Sequence, residues 1–137
     1  MRSIAFEIPG KVQAWQRTGT GLHGHFTKPE TRAYENLVKL GAQEAMAGEP
    51  PMEGPVRVLV QVWIGIPASW SARKKTAAMG VLCIAKPDAD NCAKSVLDGL
   101  KGVAYRDDVQ VSSLNVQKRY GARPRADITV SADEDMF

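Results

Sequence analysis

Two cysteines and two histidines are all the thiol and imidazole that this 137-residue chain offers to disulfide or zinc chemistry. Cys83 and Cys92 are too few for a disulfide framework, and neither has a His or Cys neighbour at zinc-ligand spacing. A stapled secreted scaffold and a zinc module are therefore excluded, and both residues read as buried or neutral thiols. His23 and His25 could ligate a metal only with distant partners, and the glycines around them predict a surface turn. No apolar run approaches the ~18 residues of a membrane helix. Met1-Arg2-Ser3-Ile4 leads into an alternating pattern instead of the apolar block of a signal peptide, which predicts a cytoplasmic protein with no membrane partner. Acid is also missing over a long interval. Between Arg57 and Lys86 the chain carries Arg57, Arg73, Lys74, Lys75 and Lys86 and no Asp or Glu.

What is present fits one small globular domain over residues 1–137: 44% hydrophobic residues, a net charge of +3, and no internal repeat. The distribution of charge says more than its sum. A second basic cluster, Lys118, Arg119, Arg123 and Arg125, lies near the end, and between the two basic regions acid is concentrated from Asp88 to Asp108. A carboxylate pocket in a basic surface is the arrangement of an enzyme that binds a polyphosphate backbone and places metal at the scissile phosphate. The plainer alternative for Arg73-Lys74-Lys75 is the solvated face of a helix.

Ser3 to Ile8 alternates as a strand that Pro9-Gly10 stops. Lys11 to Lys28 lacks periodicity and reads as a long loop. From Pro29, Tyr34, Leu37, Val38, Gly41, Ala42 and Ala45 recur at helical spacing up to Gly48. Val56, Val58, Val60, Val62 and Ile64 give the strongest strand signal, apolar on both faces and so central in its sheet. Ser69 or Ser71 can cap a short basic helix to about Met79, before an extended approach over Val81 to Ile84. Asp88 or Asp90 can then cap a helix of roughly three turns with Val96, Leu97 and Leu100 inward, stopped by Gly102. Val109 to Lys118 and Arg125 to Ser131 read as two strands close enough for a hairpin, and residues 132–137 as a frayed acidic tail. The order predicts an α+β domain, a small mixed β-sheet with helices packed on one face.

Asp88 and Asp90, two residues apart where an extended segment meets a helix, can converge on one ion. Asp108 must return to them, and the helix is short enough for Val103 to Arg106 to run back along it. Carboxylates without histidine favour an oxygen-only shell, hence Mg²⁺ or Mn²⁺ over Zn²⁺. Lys94 stands one turn after Asp90, where a salt bridge is the ordinary role; Asp98 can pair with Lys94 from the other side. Asn91 can orient a carboxylate or cap the helix. Adjacent residues in extended chain point oppositely, so only one of Asp107 and Asp108 would reach the metal. Spacing alone leaves the whole stretch equally readable as a capping, solvated acidic loop.

The residues Lys86-Pro87-Asp88-Ala89-Asp90-Asn91, Lys94, Leu97-Asp98-Gly99-Leu100, Gly102-Val103-Ala104-Tyr105 and Asp107-Asp108-Val109-Gln110-Val111 resemble the RusA family of Holliday junction resolvases, crossover junction endodeoxyribonucleases typical of phages and prophages. Ile8-Pro9-Gly10 with Arg17, Phe26 to Pro29, Pro67 to Ser71 and Lys118 to Gly121 fall where family members carry similar segments. The resemblance implies a Mg²⁺-dependent homodimeric endonuclease, with Mn²⁺ substituting, that resolves four-way DNA junctions by paired nicks in recombination and repair, in the cytoplasm of a bacterium or infected host. It implies Asp88, Asp90 and Asp108 as catalytic metal ligands, Lys94 as catalytic lysine, and Asn91 and Asp107 as supports. Ala89 and Cys92 depart from the larger aliphatic residues common there. Arg17, Lys28, Arg73, Lys74, Lys75, Lys118 and Arg119 become candidate DNA contacts. A nuclease for forks, flaps or other branched DNA is the enzymatic alternative, and a junction-binding architectural protein the non-enzymatic one.

Overall fold

The computed structural model describes residues 1–15, 19–21, 24–26 and 28–134, with side chains described outside 16–27. Its elements in chain order are β1 (Arg2–Pro9), β2 (Gly19–Gly21), β3 (Gly24–Phe26), α1 (Pro29–Met46), β4 (Val56–Gly65), α2 (Ala72–Ala78), α3 (Ala89–Leu100), a 3₁₀ turn (Asp108–Gln110), β5 (Val111–Gly121) and β6 (Arg125–Ala132). The main sheet runs β1-β6-β4-β5. The β1–β6 and β6–β4 pairs are antiparallel and β4–β5 is parallel, so the mixed sheet of an α+β domain is present.

Alternation selects the buried face. Val56, Val58, Val60 and Val62 of β4 and Ala126, Ile128, Val130 and Ala132 of β6 are buried, while Arg57, Leu59 and Thr129 point the other way. Over the buried face lies α1, which contributes Tyr34, Val38, Ala42 and Met46, and α3, which contributes Cys92, Val96 and Leu100. Close approach depends on two missing side chains. A Cβ on Gly41 would stand 2.9 Å from atoms of Phe6 and Ile8, and one on Gly99 would stand 2.7 Å from the Glu35 carbonyl oxygen and 2.6 Å from Val38 Cβ. Leu37, assigned inward by spacing, is half exposed. No residue of α2 is buried, so only α1 and α3 form the helical layer.

The two final strands do not form a hairpin. Residues 122–124 carry the chain across the end of β4, where Pro124 lies beside Gly65, and β6 inserts between β1 and β4. Both neighbours of β6 are then filled, and its apolar residues lie at the centre of the sheet. The interval read as one long loop contains the small β2–β3 ladder, Gly19 opposite Phe26. Nor is the whole segment 132–137 frayed. Ala132 is buried at the end of β6, and the Glu134 carboxylate accepts the Glu53 amide at 3.0 Å and pairs with Arg2 at 3.4 Å. Those contacts, the Glu53 amide first, hold the Glu134 carboxyl below its ordinary range. Residues 135–137 lie outside the described residues.

Candidate active site

The site is assembled around α3. Asp88 occupies its N-cap position, with extended backbone, yet its side chain makes no capping hydrogen bond. An aspartate there ordinarily accepts a helix amide, a bond worth about 1 kcal/mol. The carboxylate is instead exposed, with no hydrogen bond or ion pair among the described residues. Asp90, in the first turn, is exposed as well; its Oδ1 accepts the Asn91 amide at 3.0 Å. Lys94, one turn on, makes no ion pair with Asp90 or Asp98 among the described residues. Its Nζ lies 3.7 Å from the centre of the Trp15 ring, an attraction of about 0.5–1 kcal/mol at an exposed site. The Trp15 amide donates to the Asn91 carbonyl at 3.0 Å, which docks the segment after β1 against the start of α3. Lys11, Trp15, Lys86, Asp88 and Asn91 thereby line one open cleft of about 310 Å³.

The chain after α3 turns back tightly. Gly102, at φ 82°, allows the reversal, and its amide donates to the Tyr105 carbonyl at 2.7 Å. Tyr105 is fully buried, and its hydroxyl contacts both the Leu97 carbonyl oxygen, at 3.3 Å, and Asp108 Oδ1, at 3.1 Å. Burial, then the nearby Asp108 carboxylate, raises the Tyr105 phenol above its ordinary range, so it remains a donor. The Asp107 and Asp108 side chains have different tasks. Asp107 caps the 3₁₀ turn through the Val109 amide at 3.2 Å, and Gln110 returns its Oε1 to the Asp107 amide at 3.1 Å. Gln110 Nε2 also donates to the Met52 and Gly54 carbonyls, which fastens this turn to the chain entering β4.

The return of Asp108 stops beside Leu97. Asp88 and Asp90 stand at the first turn of α3, and no three His, Cys, Asp or Glu side chains among the described residues come close enough together to hold a metal ion. The expected convergence of three carboxylates is not present in this arrangement, because the Tyr105 hydroxyl anchors Asp108 further along the helix. In donor chemistry the set fits a hard cation: all three are carboxylates, and that of Asp88 is unoccupied by any cap. Asp98 belongs to the same field. Burial, then Asp108, raises its carboxyl above the ordinary range, against the opposing pull of Lys94 and Lys101. Cys92 is a buried, free thiol pushed up to about 11, chiefly by burial, and has no part in the chemistry.

The candidate DNA contacts divide sharply. Lys28, Arg73 and Lys74 are exposed and Lys75 is half-buried; Lys74 lies 4.0 Å from the Trp70 ring centre. The second basic cluster is engaged within the fold. Lys118 donates to the Ala85 and Pro87 carbonyls, and Arg119 donates to the Gly80 carbonyl at 2.8 Å. Arg123 pairs with Glu7 at 2.7 Å, and Arg125 pairs with Glu7 and lies over Trp63. Arg17 lies outside the described residues. Residue spacing did not disclose Trp15, Tyr105 or Gln110 as parts of the site; the Tyr105-Arg106-Asp107-Asp108 order carried a signal for the second, and nothing local marked the others.

Exposed carboxylates beside a lysine fit the hydrolysis of phosphodiester bonds. The model of the family "Endodeoxyribonuclease RusA" matches residues 7–131, and the chain belongs to that family. It is an endodeoxyribonuclease, of a family that acts on Holliday junctions. The chain is also 33% identical over 138 residues to "Uncharacterized protein YqaN" of Bacillus subtilis (strain 168), a match covering 95% of this chain and 96% of that protein. Among the described residues no helix is long and apolar enough to cross a membrane.

Proposed function

We propose that this protein is a Mg²⁺-dependent resolvase that nicks two opposed strands of a four-way DNA junction, in recombination and repair in the cytoplasm of a bacterium or phage-infected cell. The observation that carries the reading is the Asp88 carboxylate at the N-cap of α3, without a partner among the described residues, with Asp90 exposed in the first turn of the same helix and Lys94 exposed one turn on. Asp88 and Asp90 would hold the Mg²⁺, joined by Asp108 once it moves from its place beside Leu97, and Mn²⁺ would substitute. When bound, the ion supplies Lewis-acid polarisation of the phosphate and a lowered pKa for the attacking water. Lys94 neutralises charge that develops on the phosphate oxygens. Trp15 holds that ammonium over its ring, which limits the positions the flexible lysine can take. Asn91 anchors Trp15 through its carbonyl, and Asp107 caps the turn that carries Asp108. A junction with approximate two-fold symmetry calls for two sites related by one axis, hence a homodimer.

The test is cleavage of a synthetic four-way junction, a Y-fork and a linear duplex, with Mg²⁺ present or chelated, by the intact protein, Asp90→Asn and Lys94→Ala. The expected result is metal-dependent paired nicking of the junction, lost in Asp90→Asn, and in Lys94→Ala junction binding retained with turnover reduced at least ~100-fold. Junction binding without any metal-dependent cleavage would leave an architectural protein. Equal cutting of fork and junction would leave a nuclease for branched DNA in general. Sedimentation equilibrium should give twice the chain mass of 14.9 kDa; a monomer at working concentration would remove the paired-site argument.

A further inference from the structure

Lys118 stands on the wrong face of β5 for a phosphate contact. Its register partner is Val62, whose side chain is fully buried, so the lysine stem rises on the side of the sheet covered by α1 and α3. The ammonium ends on two backbone carbonyls, Ala85 at 2.7 Å and Pro87 at 2.9 Å. The Lys118 backbone carbonyl accepts the Cys83 amide at 2.9 Å. One residue therefore holds three alternate positions, 83, 85 and 87, of the extended segment whose next residue is Asp88. No carboxylate lies within ion-pairing distance of this lysine among the described residues.

Helix stability does not explain the placement. The ammonium sits on the Pro87 carbonyl, one residue before the N-cap of α3, and a cation at the positive end of a helix is unfavourable. What it supplies is a fixed position for the Pro87 carbonyl, hence for the backbone from which the uncapped Asp88 side chain departs. We propose that Lys118 is a positioning residue for Asp88, tying the metal-ligand segment to β5, and not a DNA contact. The inference rests on the reading of Asp88 as a metal ligand. It belongs to the class of outer-shell supports whose loss weakens metal binding by roughly 10–100-fold.

The experiment compares Lys118→Met, which keeps the stem and removes the donors, with Lys118→Arg, which keeps the charge in a larger planar group, and with Asp88→Asn. Folding is checked by circular dichroism. Mn²⁺ binding is followed by electron paramagnetic resonance, junction binding without divalent metal is measured across salt concentrations, and cleavage is titrated with Mg²⁺. Both Lys118 variants should bind Mn²⁺ about 10-fold or more weakly, keep the junction affinity and salt slope of the intact protein, and regain most turnover at high Mg²⁺. A phosphate contact would behave oppositely: Lys118→Met would flatten the salt slope by about 1 with Mn²⁺ affinity unchanged, and that result overturns the proposal. If Lys118→Met does not fold, unchanged Mn²⁺ affinity in Lys118→Arg also overturns it. Asp88→Asn separates the two levels. Should it bind Mn²⁺ like the intact protein, the reading of Asp88 fails; should it lose Mn²⁺ while the Lys118 variants do not, only the role of Lys118 fails.

Discussion

Tyr105 shows how much of this site depends on a single hydroxyl. Its one proton is shared between the Leu97 carbonyl oxygen and Asp108 Oδ1, and the ring around it is fully buried. In Tyr105→Phe the ring still packs, but a carboxylate and a helix carbonyl lose their donor. Such a loss costs about 1–2 kcal/mol, to be read as a lowered urea midpoint. With Asp108 released from its place beside Leu97 it can approach Asp88 and Asp90, so Mn²⁺ binding should hold or tighten; a weakened Mn²⁺ affinity would mean that the hydroxyl holds Asp108 in place for the metal. Tyr34 is the counterexample, a buried tyrosine whose hydroxyl has no hydrogen-bond partner among the described residues. Burial raises its phenol above the ordinary range. Tyr34→Phe should therefore leave the urea midpoint unchanged or raise it, since no bond is lost and a buried polar atom is removed; a clear fall would reveal a partner for the hydroxyl.

At the scale of elements, the contact between α1 and α3 decides where the acidic face of α3 points. Alanine is the better helix former by about 1 kcal/mol, yet a Cβ at residue 99 would meet the Glu35 carbonyl oxygen at 2.7 Å. A backbone atom cannot move aside as a side-chain tip can, and overpacking of this kind costs about 1–3 kcal/mol. Gly99→Ala should consequently lower the urea midpoint and, by tilting α3, reduce cleavage; a raised midpoint would show that the helices can separate without loss. The periodicity of α1 and α3 and the alternation of β4 were legible in sequence, because each reports one buried side of a regular element. Leu37 was misplaced by the same signal, since spacing identifies a stripe but not its width. Ser71, one of two candidates, proved to be the cap of α2, its Oγ accepting the Lys74 amide at 3.2 Å.

For the whole molecule, charge that is clustered in sequence is divided by the fold into a free and a bound set. Arg73→Ala with Lys75→Ala should flatten the salt dependence of junction binding by about 2 in log–log slope. Arg123→Ala with Arg125→Ala should leave that slope unchanged, because Glu7 and Asp127 already partner those guanidinium groups. Equal effects of the two pairs would mean that DNA displaces the internal partners. By itself the sequence determined the fold class, the extents of α1, α3 and β4, and the concentration of acid from Asp88 to Asp108, since periodicity and clustering are local properties of the chain. Only the tertiary structure decided that β6 enters between β1 and β4, that Asp108 is held beside Leu97, and that Lys118 serves the backbone before Asp88. Each of those outcomes depends on a partner more than twenty residues away or on a hydrogen bond to a backbone atom, and neither leaves a mark in the spacing of residues.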